Sequence, residues 1–257
     1  MPHKTVLRSV VIITTFLLAL YGNRILGTFV PVVIESDYLL LLYIYSWWAV
    51  PAVLVTGLMY GFRQIPELWG LSKGFGFGFV FALITVLPML ISSVVMGEVR
   101  DDLSLLSLLQ KTVFAGFMEE FLFRGFLFGI LFRKLCWGFV PASLLGALIF
   151  GIIHLYQGSS IAETAGIFLL TAMGAVWFAW LYIEWENNLW IPIFLHILMN
   201  LSWTLFDISD TALGGLYANL FRALTIAITV ILTIRHCKKN GFKVNGRSLW
   251  GNGTYND

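Results

Sequence analysis

Apolar residues run along this chain in eight blocks, approximately 7–21, 38–61, 74–96, 105–132, 137–156, 162–183, 189–206 and 215–234. Each is near the ~20 residues a helix needs to cross a bilayer, the first and seventh being shorter. The third block opens GFGFGFVF, whose period of two suggests a strand. One isolated strand in a bilayer cannot satisfy its backbone, so helix is the expected state there too. Gly74 and Gly78, and again Gly125 and Gly129, have the spacing of small residues that lets helices approach closely. FRQIPELWGLSK, between blocks two and three, reads as a loop with an interfacial turn, its Trp69 suited to the headgroup level. GEVRDDLS forms a short acidic connection before block four. After Arg235 the polar, Gly/Asn-rich stretch KKNGFKVNGRSLWGNGTYND is expected to be poorly ordered.

Composition sharpens the class. Of 257 residues 59% are hydrophobic and only 12% charged, with a mean hydropathy of +0.86, far outside the range of soluble globular chains. The expected fold class is therefore all-α, a polytopic integral membrane protein with about eight transmembrane helices. A formal net charge of +2 gives no footing for nucleic acid. Lys4, Arg8, Arg63, Lys73, Arg133, Lys134 and the basic residues from Arg235 onward fall on one side of an eight-span arrangement. Arg24, Arg100 and Lys111 fall on the other, which puts both termini in the cytoplasm. Basic residues before an apolar run imitate a signal peptide at the start, but no convincing small-x-small cleavage site precedes Asn23, so a retained first helix is expected. Cys136 and Cys237 lie beside basic clusters on the reducing side and are expected as free thiols. The Asn-Gly-Thr triplet at 252–254 matches a glycosylation acceptor, but on that side it would not be modified. The chain divides into three N-terminal helices (1–104), a four-helix core (105–206), a last helix (207–237) and a flexible cytoplasmic tail (238–257).

Against this apolar background a few polar positions stand out. FAGFMEEFLFRGFLFGIL carries Glu119, Glu120 and Arg124 in block four, and ionisable groups at membrane depth are costly enough to be kept for a task. Glu120 and Arg124 are four apart with the acid first, the favourable order for a pair on one helix face. Glu119 lies about 100° further round and is left without that partner. In LLGALIFGIIHLY, His154 shares a face with Phe150, four residues earlier. In WIPIFLHILMN, His196 and Asn200 share a face in the same way. A carboxylate and an imidazole that share a proton supply a base near working pH, and an amide N–H can donate to an oxyanion. No Ser or Cys sits in a matching place, so water is preferred over a covalent nucleophile.

The order Glu-Glu-x-x-x-Arg, Phe-x-x-x-His and His-x-x-x-Asn on three hydrophobic helices resembles the CPBP family, the CAAX-protease and bacteriocin-processing intramembrane proteases. The Trp-x-Pro run ahead of His196 adds to the likeness, which covers about residues 111–200. The resemblance implies that Glu119 is the general base activating a water with help from His154. It further implies that Glu120 and Arg124 form a structural ion pair and that His196 and Asn200 stabilise the oxyanion. Phe150 is then packing against the site. The function implied is an intramembrane endopeptidase acting on a membrane-associated protein or peptide within a lipid bilayer. Separately, the compact chain without large loops points to a prokaryotic cell membrane. No cofactor is expected. Zinc on Glu119, His154 and His196 is the less favoured alternative, because no short HExxH-type ligand pair is present and Asn200 suits an oxyanion hole better.

Two rivals come from other classes: a non-catalytic immunity or scaffold protein, and a transporter or proton pathway. Against the latter stands the absence of a repeated half with paired broken helices. One geometric demand follows from the topology. Glu119 and His154 lie more than ~20 Å from the cytoplasmic helix ends and His196 only ~9 Å past Trp190, so the turn EWENNLWIP must dip inward for the three to meet. Glu184 and Glu186 in that turn are expected as solvated or interfacial charge. Arg222, in block eight, can pair with an acid or reach outward past Asn219 and is assigned no role.

Overall fold

A computed structural model describes residues 3–30, 33–209 and 211–251; the triplet 252–254 lies outside the described residues. Eight apolar helical units follow in order. They are α1 (His3–Phe29), α2 (Asp37–Tyr60), α3 (Phe75–Met96), α4 (residues 105–133), α5 (Phe139–Ile153), α6 (Ile161–Glu184), α7 (Trp190–Leu205) and α8 (Leu216–Asn240). The fold is all-α, and the only β pairing among the described residues is an isolated bridge between Trp137 and Gly251. Among the described residues six units are long and apolar enough to span a membrane, α5 when taken with the turn that continues it to Gln157; α4, broken into shorter pieces, and the 16-residue α7 complete the bundle. Large apolar side chains such as Leu42, Leu58, Phe79, Val95 and Leu220 point outward. That outward-facing apolar shell marks an integral membrane protein.

The centre of the bundle is α4. Every residue from Phe121 to Phe132 is buried, as expected for a helix that is hydrophobic all round. Phe123 meets the edges of Phe16 (α1) at 4.9 Å and Phe150 (α5) at 5.0 Å, and Phe128 meets Phe139 (α5) at 5.7 Å. This helix is not regular. Gln110–Phe114 and Phe121–Phe128 are π-helical and bracket the α-helical turn Ala115–Glu120 that bears the carboxylates. Such widened turns free backbone carbonyls from the usual ladder and recur at functional sites.

The segment between α2 and α3 departs from expectation. Trp69 is a core residue: its ring sits edge-on to Phe121 at 4.6 Å and Phe126 at 6.3 Å. A Pro66-containing helical turn (Ile65–Leu68) folds the segment inward, and the buried Arg133 fixes it by donating to the Leu68 carbonyl at 2.6 Å. The α6–α7 turn lies beneath this cover. Leu189 N–H donates to the Gly70 carbonyl, the Asn188 amide to Gly74, and the Trp190 indole to Leu71. Backbone polar groups of a non-helical turn are thus paired within protein, the condition for such a turn to lie at membrane depth. Gly74 supports the contact at φ +83°, and a Cβ on Gly78 would lie 2.8 Å from the Trp190 backbone. Both glycines of that pair therefore receive the start of α7.

Glu184 is not a solvated charge. It is 1% exposed and accepts from the Trp180 indole, the Cys237 thiol and the backbone N–H groups of Lys243 and Val244. After Gly241 ends α8, residues 242–251 fold back across the bundle. Carbonyls of Ser248 and Leu249 accept from Phe139 and Val140 N–H, two donors that the first turn of α5 cannot satisfy itself. Cys136 is exposed and Cys237 buried, both as free thiols.

Candidate active site

Packing of α4 on α7 assembles the polar centre. Gly116 makes the approach close: a Cβ there would stand 2.7 Å from Ile197 Cγ1. The residue before Ile197 on α7, His196, faces the two glutamates. Its Nδ1 is 2.8 Å from Glu120 Oε1, and that same oxygen accepts from Arg124 Nη1 at 3.0 Å. An ionised carboxylate only accepts, so Nδ1 of His196 is the donor. Nε2 of His196 then points at the other acid, 3.8 Å from Glu119 Oε2.

The two carboxylates have different surroundings. Glu120 is 0% exposed, and Arg124 is held among three aromatic rings, with Phe150 at 4.8 Å, Phe178 at 5.5 Å and Phe123 at 5.9 Å from its guanidinium. Glu120 and Arg124 are an internal pair that also fixes the imidazole. Glu119 is the acid left over: its Oε2 is buried and has no hydrogen-bond partner among the described residues. A buried acceptor without a donor costs free energy, and it is kept where chemistry or a ligand uses it.

The remaining motif residues bind backbone. Asn200 donates through Nδ2 to the carbonyl of Lys111 at 3.0 Å, a carbonyl that belongs to the first π-helical stretch. Its second N–H stays available, and Asn200 lines a cavity of about 300 Å³ together with Arg124, Phe150 and His196. His154 ends α5, its Nδ1 2.7 Å from the Phe150 carbonyl and its ring 4.5 Å from the Phe150 ring. With Nδ1 donating to that carbonyl, Nε2 is the free acceptor. Phe150 thus packs between Arg124 and His154, while His154 has no hydrogen bond or ion pair to Glu119 among the described residues.

The zinc alternative needs Glu119, His154 and His196 to converge. Among the described residues no group of three or more His, Cys, Asp or Glu side chains is arranged to hold a metal ion. His196, its Nδ1 donating to Glu120, presents Nε2 beside Glu119, and His154 is not gathered with them among the described residues.

Sequence reasoning passed over two features of this site. Arg222 lines the same cavity; positions 222, 225, 229, 233 and 237 are the buried stripe of α8, a helical spacing visible in the sequence. The Lys111 carbonyl had no signal, because a π turn is not legible from residue types. Residues 101–202 match the family described as Type II CAAX prenyl endopeptidase Rce1-like, a range containing all three motifs and excluding α1–α3 and α8. No curated protein and no solved structure matches the chain.

Proposed function

We propose that this chain is an intramembrane protease, a reading supported by the match of residues 101–202 to the Rce1-like family, and that it hydrolyses a peptide bond of a membrane-associated protein or peptide by direct attack of water. The observation that carries the reading is the unpartnered Oε2 of Glu119 facing Nε2 of His196 across 3.8 Å. In the proposed reaction Glu119 takes a proton from water and the hydroxide oxygen attacks the scissile carbonyl carbon. The carbonyl oxygen becomes an oxyanion. Protonated His196 donates to it through Nε2 and Asn200 donates through its second N–H. When the tetrahedral intermediate collapses, the C–N bond breaks and Glu119 returns the proton to the departing amine.

Glu120 and Arg124 act in this scheme by position: Glu120 orients the imidazole and Arg124 neutralises Glu120. An oxyanion donor in a water-poor site is worth about 3 kcal/mol, or ~10²-fold in rate. His154 has an indirect part, holding Phe150 in place through its ring and its contact with the Phe150 carbonyl. The test is cleavage of a membrane-associated substrate by wild type and by Glu119→Gln at matched protein levels. Loss of turnover by ~10³-fold or more is expected; equal processing by both proteins would remove the base and with it the mechanism.

A further inference from the structure

One face of α2, a helix outside the matched segment, is turned toward the site. Tyr45, Ala49, Ala52, Thr56 and Tyr60 recur at spacings of four and three, the repeat that puts residues on one side of a helix. Ala52 and Thr56 are fully buried, and Tyr45, Ala49 and Tyr60 pack against the core that contains Met118, Phe121 and Leu122 of α4. The Tyr45 ring is stacked on Phe114 of α4 at 5.9 Å and 22°, and it meets the Trp48 ring edge-on at 5.7 Å. Phe114 closes the first π-helical stretch and stands five residues, about 7.5 Å along the helix, before Glu119. The Tyr45 hydroxyl is close enough to Glu119 for the two to interact through space, and it has no hydrogen bond among the described residues. Glu119, for its part, does not border the cavity that Arg124, His196 and Asn200 share, yet its side chain keeps 17% of its surface exposed.

A phenylalanine at position 45 would stack on Phe114 and meet Trp48 equally well. What needs a reason is the hydroxyl, because a polar group at membrane depth costs free energy unless something bonds it. Two groups with unused hydrogen-bonding capacity thus stand in range of each other, the Tyr45 hydroxyl and Glu119 Oε2. One water bonded to both satisfies both. Resting on the protease reading above, we propose that Tyr45 positions the attacking water for Glu119, which makes α2 part of the catalytic site. The water gives one proton to Glu119 while its other hydrogen is held by the phenol oxygen. Tyr45 keeps its own proton throughout, so one O–H bond breaks, one forms on the carboxylate, and the lone pair set free is aimed at the scissile carbonyl carbon. Stacking on Phe114 ties the phenol to the same helix that carries the base, so water, base and phenol keep one geometry.

The experiment uses the full chain in phospholipid nanodiscs, with a lipid-anchored apolar peptide carrying a dye and a quencher as the probe. Wild type, Glu119→Gln, Tyr45→Phe and Tyr45→Leu are compared for kcat, KM and unfolding temperature at matched protein levels. Tyr45→Phe keeps the ring and removes only the hydroxyl; kcat is expected to fall by ~10- to 100-fold, the cost of a misplaced reactant, with KM and unfolding temperature close to wild type. Tyr45→Leu removes ring and hydroxyl together. It loses at least as much in kcat, and it alone loses thermal stability, which separates packing on Phe114 from placement of the water. Wild-type kcat in Tyr45→Phe, a loss that falls wholly in KM, or a loss that follows a lowered unfolding temperature each overturns the proposal. Absence of hydrolysis by wild type, or its survival in Glu119→Gln, defeats the protease reading on which the proposal rests. Glu119-dependent hydrolysis untouched by Tyr45→Phe defeats this inference alone.

Discussion

Removing the carboxylate of Glu120 separates structure from chemistry in this site most sharply. Glu120 is completely buried, and a single oxygen receives both Arg124 at 3.0 Å and His196 at 2.8 Å. Glu120→Ala leaves a guanidinium inside a cage of Phe123, Phe150 and Phe178 with no counter-charge. Breaking a buried pair from one side costs about 3–5 kcal/mol. At 2–4 °C per kcal/mol for a chain of this size, unfolding in detergent should move down by about 6–20 °C. Glu119→Gln is the matched control, because Glu119 Oε2 has no donor to lose; its unfolding temperature should stay within about 2 °C of wild type while turnover is lost. Thermal unfolding of purified protein and accumulated protein per cell give the readout. The reasoning fails if Glu119→Gln is destabilised as much as Glu120→Ala, or if Glu120→Ala leaves both stability and cleavage intact.

The seam that presents His196 to the glutamates is equally open to test. Gly116→Val places a branched side chain against Ile197, where even a Cβ would stand at 2.7 Å; overpacking by about 1–3 kcal/mol and loss of cleavage are expected, and wild-type activity would show that the α4–α7 approach is not needed. Glu184→Ala removes the acceptor for Lys243 and Val244 N–H. Limited proteolysis within 242–251 should accelerate, and unchanged protection would mean that the α5 contacts alone hold this stretch. If Glu119 alone activates the water, a strong zinc chelator should leave cleavage unchanged; loss of activity restored by zinc alone would refute that reading.

Much of this protein follows from local chemistry. Eight apolar blocks give eight helical units because lipid leaves a backbone no other way to pair its own N–H and C=O groups. Spacing of four puts Glu120 with Arg124 on one face, and charge asymmetry makes Glu119 the unsatisfied acid; neither needs a tertiary contact to be seen. The three motifs also marked the segment that matches the Rce1-like family. What required the folded chain is whatever depends on distant residues meeting. His196 bridges both glutamates through opposite ring nitrogens, a choice fixed by the closeness that Gly116 permits and not by residue type. Trp69 is core because a proline turn carries it inward, and Glu184 is buried because N–H groups some sixty positions later fold back to meet it. In sequence, Arg222 was as compatible with pairing to an acid as with reaching outward past Asn219. Only the packing of α8 against Trp203 turns it into the cavity, since hydropathy records how much a helix dislikes water but not which of its sides faces protein.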